Sequence, residues 1–144
     1  MDLPFQRLHA DAELPGAAHP GDAGLDLRSV VDVTVGPGER TLVPTGLAVA
    51  IPEGHAGLVL PRSGLASRQG LTLANSPGLI DAGYRGEVTV AVVNLDRTEA
   101  VAIAAGDRVA QLVVVEAPEV RPTWAERLAP SARGSGGFGS TGTA

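Results

Sequence analysis

The segment richest in reactive groups is Asn75-Ser-Pro-Gly-Leu-Ile-Asp81-Ala-Gly-Tyr84-Arg85-Gly86-Glu87, a long turn between two apolar runs. A hairpin needs only about two to five loop residues, and longer loops in compact domains tend to carry function. Asp81, between Ile80 and Ala82, has the chemistry of a general base, and Tyr84 that of an aromatic able to stack on a ring or sugar. The plain alternative is ordinary Asp-Ala-Gly turn chemistry with Tyr84 as a packing residue.

Pro61-Arg62-Ser63-Gly64 puts a guanidinium and a hydroxyl at the start of a short helical stretch, 63–70, which has a capping serine at its start and a glycine at its end. Free N–H groups at such a start suit phosphate, and Gly64 lets the backbone come close. By itself the segment also reads as a plain cap beside a surface arginine. Asp22 and Asp26 are two carboxylates on a loop-to-strand entry, the oxygen type that hard divalent cations take, although two acids at this spacing are common by chance. Gly106-Asp107-Arg108-Val-Ala-Gln111 places a glutamine on an apolar strand, where a buried amide needs partners. His9, His19 and His55 have no metal-ligand spacing and are expected to face solvent. Gly134, Gly136 and Gly139 spell a formal dinucleotide fingerprint, but no strand precedes it and no room for a helix follows.

These residues need a scaffold, and the composition says which kind. Gly (19) and Pro (11) divide the 144 residues into short segments. Val31–Val35, Leu42–Ile51, Gly57–Leu60, Leu71–Leu73, Val88–Leu95, Val101–Ile103 and Val109–Val115 read as strands. An all-β fold of the jelly-roll type follows, with one short helix. Aromatics are 3%, so the core must come from Val, Leu, Ile and Ala. From Ala117 the strand pattern breaks. Residues 1–116 are expected to form the core, 117–132 an extended arm, and 133–144 a Gly/Ser-rich mobile tail.

Composition also excludes function classes. All eleven cations are arginine, so a lysine phosphate loop and Schiff-base chemistry are out. With no cysteine there is no thiol nucleophile or disulfide framework, which fits a reducing cytoplasm, the expected location. The net charge of −5 argues against a protein that coats nucleic acid, though clustered arginines can still meet a small anion. No run free of Asp, Glu and Arg is long enough to span a membrane, and Met1-Asp2-Leu3-Pro4 does not read as a signal peptide.

Taken in order, Ala23-Gly-Leu-Asp-Leu-Arg-Ser29, Pro61-Arg-Ser-Gly-Leu-Ala66, Asn75 to Glu87, Gly106 to Gln111 and Arg133-Gly-Ser-Gly-Gly-Phe-Gly-Ser140 resemble the five motifs of the trimeric dUTPase family. The resemblance covers nearly the whole chain, and its third motif is highly specific. It implies a β-clip (distorted jelly-roll) barrel forming a homotrimer with exchanged C-terminal arms and active sites shared between subunits. The implied activity is hydrolysis of dUTP to dUMP and pyrophosphate with Mg²⁺, which keeps uracil out of DNA and supplies dUMP for thymidylate synthesis.

By the same resemblance, Asp81 is the base that activates water, and Gln111 stands near the α-phosphate. Asn75 and the backbone of Gly78, Leu79 and Ile80 read uracil. Tyr84 crowds the deoxyribose, and Arg62, Ser63 and Gly64 cradle phosphate. Asp26 holds the water shell of the metal, while Arg133, Phe138, Gly139 and Ser140 form a closing tail. Arg85 is a further candidate for neutralising phosphate charge. Pro61 stands where many members have glycine, Leu79 where many have threonine, and Thr89 where several have lysine, at a position that acts through its backbone. Two rivals remain: a dCTP deaminase of the same fold, which lacks this complete glycine-rich tail, and a non-catalytic nucleotide-binding trimer, against which Asp81 and Gln111 argue.

Overall fold

β-Branched and aliphatic residues fill the stretches between the Gly and Pro clusters, and in the computed structural model these stretches pair into ladders. The structure describes residues 1–132, 134 and 135. Among them are ten strands and one helix: β1 (Phe5–Arg7), β2 (Leu25–Arg28), β3 (Val33–Val35), β4 (Arg40–Val49), β5 (His55–Leu60), α1 (Ser63–Gln69), β6 (Leu71–Leu73), β7 (Gly78–Asp81), β8 (Glu87–Asn94), β9 (Val101–Ile103) and β10 (Arg108–Glu116). Every pairing is antiparallel. One sheet runs β1-β4-β8-β6, a second β2-β10-β5-β7, and β3-β9 forms a third, two-stranded ribbon. Neighbours in space are thus mostly distant in sequence, as the jelly-roll expectation requires. No helix among the described residues is long and apolar enough to cross a membrane.

The core lies between the sheets. Strand alternation sends Val88, Val90 and Val92 of β8 inward to meet Leu27, Val43, Val59, Ile80 and Leu112. Aliphatic side chains suffice because antiparallel strands need to bury only one face. The buried polar side chains are all satisfied among the described residues. Asn94 donates to the carbonyls of Val35 and Glu99, and Thr45 donates to that of Val88.

Three local details differ from the sequence expectation. The stretch 75–87 is not a plain turn, because β7 lies within it and pairs with β5 over Ala56↔Asp81 to Val59↔Gly78. Its burial alternates, with Gly78 and Ile80 inward and Leu79 and Asp81 outward, which is the signature of a half-buried strand. At α1, Ser63 is the first helical residue and not the cap. Arg62 occupies the cap position with extended backbone and no side-chain capping bond. At the other end Gly70 closes the helix at φ +66°, as expected, and a Cβ there would lie 2.9 Å from the Asp96 amide nitrogen. At the N-terminal end, β1 is an additional strand held by β4, while the strand entered at Asp26 is β2, paired with β10.

Candidate active site

Two of the fold's pockets gather the candidate residues. The first, of about 320 Å³, is lined by Asp22, Asp26, Arg62, Ser63, Gly64 and Gln111. Asp26 sits on β2 directly across from Gln111 of β10, and Gln111 lies across from Leu60, the last residue before Pro61-Arg62. The antiparallel register alone therefore brings the first, second and fourth motifs together. Asp26 accepts bonds from Arg62 Nε and Arg108 Nη1, each at 3.1 Å, and its side chain is only 14% exposed. Arg62 Nη1 also reaches the Arg108 carbonyl at 3.4 Å. Gln111 Nε2 donates to the Pro61 carbonyl, while its Oε1 lies against Gly24, where any side chain would collide with it. At Gly64 an added Cβ would meet only the tip of Arg68, so the close approach expected there is not enforced by backbone.

The second pocket, of about 150 Å³, is lined by Asn75, Gly78 to Asp81, Tyr84, Glu87 and Thr89. Gly78 is tight because its Cβ would come within 3.3 Å of Asn75 Nδ2 and 3.4 Å of Val59 Cβ. Since β7 is the edge of its sheet, one of its two rows of backbone N–H and C=O groups has no strand partner. The Tyr84 hydroxyl donates to the Glu87 carbonyl at 2.9 Å, leaving the ring half-exposed at the pocket wall. The Arg85 guanidinium, a candidate for phosphate charge, donates instead to the Ala82 and Tyr84 carbonyls. It holds the turn and does not face the first pocket.

The two pockets share no lining residue. β2 and β7 are opposite edges of one sheet, three inter-strand steps apart, and Asp81 is four residues along β5 from the position facing Gln111. At about 4.8 Å per step and 3.3 Å per residue, ladder spacing sets the Cα atoms of Asp26 and Asp81 about 19 Å apart on an untwisted sheet. Arg133, Phe138, Gly139 and Ser140 lie outside the described residues.

The chain that carries these pockets is similar to known proteins along nearly its whole length. The family model for dUTPase matches residues 10–142. This chain belongs to the dUTPase family. A deoxyuridine 5′-triphosphate nucleotidohydrolase of Mycolicibacterium gilvum (strain PYR-GCK) is 57% identical, with 97% of this chain and 94% of that protein covered. The one from Streptomyces coelicolor is 54% identical over 99% of this chain and 78% of its own length. Among solved structures, a G164S mutant of the Staphylococcus bacteriophage 80alpha dUTPase with dUpNHpp superposes with a TM-score of 0.93 at 30% identity, covering 99% of both chains. A mutant dUTPase from phage phi11 of S. aureus, described with a coordinated structural Mg(II) ion, superposes at 0.84 with 28% identity over 90% of this chain and all of its own. The chain is therefore a hydrolase of the dUTP diphosphatase class.

Sequence reasoning misses Arg108 as the second partner of Asp26, although it stands beside Gln111 in the quoted motif. It gives no role to Gly24 or Gly86 either. Their requirement is spatial and appears only when Gln111 and Tyr84 are placed against them.

Proposed function

We propose that the two pockets, supplied by neighbouring copies in a homotrimer, bind one dUTP and hydrolyse it to dUMP and pyrophosphate. The observation that carries this reading is the division of the motifs. Groups suited to polyphosphate line one pocket, and groups suited to a pyrimidine nucleoside line the other. A base and a glutamine that must meet one attacking water have to approach to hydrogen-bond reach, about 3 Å each. Asp81 and Gln111 lie two strand steps and four residues apart within one chain, about 16 Å by ladder spacing, which does not allow it. Arm exchange is the companion proposal. After the Ala117 amide bonds the Gly54 carbonyl, the arm carries Val120, Trp124 and Leu128 largely or fully exposed, an apolar strip that suits a neighbouring copy.

In this site the free edge of β7 and the Asn75 amide face uracil, and Tyr84 packs on the sugar at C2′. Arg62, already aimed by Asp26, donates to phosphate oxygens beside the Ser63 hydroxyl and needs little reordering to do so. Gln111, fixed by Pro61, orients the water near the α-phosphate. Asp81 accepts the proton as the water oxygen bonds to the α-phosphorus. The bond from that phosphorus to the bridging oxygen breaks, and pyrophosphate leaves. Arg133 and the Phe138-Gly139-Ser140 stretch close over the bound nucleotide.

Mg²⁺ fits the donor set. Among the described residues no three acids or histidines cluster to hold a bare ion, and both Asp26 oxygens already bond arginines. A cation that keeps its waters and is held largely by phosphates matches this, with Asp26 touching the water shell and Asp22 beside it. When bound, such an ion neutralises charge developing on the phosphates.

The experiment is a pyrophosphate-release panel over dUTP, dTTP, dCTP and UTP with Mg²⁺. Release from dUTP alone is expected. Ammonia from dCTP would establish the deaminase reading, and tight binding without turnover would establish a regulatory trimer.

A further inference from the structure

Gly86 has no backbone reason to be glycine. Its φ lies outside the left-handed region, and an L-residue could adopt its conformation. Its constraint is space. A Cβ at position 86 would lie 2.5 Å from Tyr84 Oη, 2.7 Å from Cζ and 3.1 Å from Cε2. All three atoms belong to one rigid ring, so the contact cannot be relieved by bending a flexible tip.

The ring is also fastened at its far end. Its hydroxyl donates to the Glu87 carbonyl at 2.9 Å. Glu87 is pinned in turn, because its Oε1 accepts the Gly46 N–H at 2.7 Å where the β4–β8 register shifts between Pro44 and Ala48. Next along, the Thr45 hydroxyl holds the Val88 carbonyl at 2.6 Å. The start of the turn is closed by the Tyr84 amide on the Asp81 carbonyl, and Arg85 bonds the carbonyls between. Tyr84 thus rests its phenol end against the bare backbone of Gly86, with its hydroxyl tied to a braced strand end.

We propose that Gly86, backed by Glu87, is a positioning residue that sets the angle of the Tyr84 ring in the second pocket and thereby the preference for a 2′-deoxy sugar. The inference rests on the dUTP reading of the site. Adding a methyl at 86 forces the ring off the Glu87 carbonyl and away from the plane in which it crowds C2′. The base-reading edge of β7 is untouched by this change, so sugar choice and base choice should separate.

The test is Gly86→Ala, assayed for kcat/KM on dUTP, UTP and dTTP with Mg²⁺. The dUTP-to-UTP ratio is expected to fall by about tenfold or more, and the dUTP-to-dTTP ratio to stay within about twofold, a much smaller effect on that scale. In a Tyr84→Ala background, Gly86→Ala should leave the dUTP-to-UTP ratio unchanged, because nothing remains to collide. An unchanged ratio in Gly86→Ala, or an equal loss with and without Tyr84, overturns the inference. If Gly86→Ala does not fold, Tyr84→Phe removes only the tie to Glu87, and an unaltered ratio there overturns it equally. Failure of the unmodified protein to prefer dUTP over UTP would instead sink the functional reading on which the inference stands.

Discussion

At the residue scale, Asp81 and Asp26 differ in placement in the way that the proposed division of work requires. Asp26 is largely buried, with each oxygen bonded to an arginine, and so serves as an anchor. Asp81 is exposed at the outward end of β7, on the wall of the second pocket, where the proposed base role needs it. Asp81→Asn keeps the size and the turn but removes the proton acceptor. Turnover of dUTP should fall by about 10²-fold or more, while a non-hydrolysable analogue still binds. Steady-state kinetics beside calorimetric titration checks this, and turnover within a few-fold of the unmodified protein would refute the assignment.

At the element scale, the turn joining β8 to β9 is held by Asp96, whose carboxylate accepts the Thr98 and Glu99 amides and the Thr98 hydroxyl. These bonds, the Glu99 amide first, hold its pKa below the ordinary carboxylate value. An acid lowered in the folded state stabilises the fold above its unfolded pKa and loses that contribution as pH falls through the folded one. Asp96→Asn should therefore melt slightly below the unmodified protein at neutral pH, and the gap should close in acid. Melting curves across that range decide, and a gap constant with pH would show that the turn does not depend on the charge. The last segment behaves differently. Residues 133–144 are mostly Gly, Ser and Thr, with Phe138 as the sole aromatic, too little apolar surface to weigh on folding. Ending the chain at Ala132 should leave the melting temperature nearly unchanged and lower turnover far more than nucleotide affinity. Normal turnover in the shortened protein would remove the closing role.

At the scale of the whole molecule, the proposed division of the site between copies allows a test that no single chain can mimic. Asp81→Asn damages only the nucleoside pocket, and Arg62→Ala only the phosphate pocket. Each variant alone should be nearly inactive. Co-refolded, they should regain a fraction of turnover, since some sites in mixed trimers then draw an intact half from each kind of chain. A mixture no more active than its components would mean that both halves come from one chain.

The chain itself announces the chemistry and much of the scaffold. Leu71–Leu73 and Val101–Ile103 are legible to the residue, because β-branched and aliphatic runs between Gly and Pro carry a local signal. The third motif is equally plain as a set of reactive groups. What local pattern cannot carry is partnership. β7 is hidden in an apparent turn because four residues become a strand only when β5 lies beside them. Ser63 looks like a cap until Arg62, drawn to Asp26 from 36 positions away in sequence, takes that place. Gly24 and Gly86 gain meaning only from the side chains folded over them. The widest gap concerns the site itself, whose motifs are consecutive along the chain yet lie at opposite edges of one sheet. Residue type is written at each position. Strand order is settled by burying one aliphatic face against another across long sequence separations, and that order decided which groups meet within a chain and which are held apart.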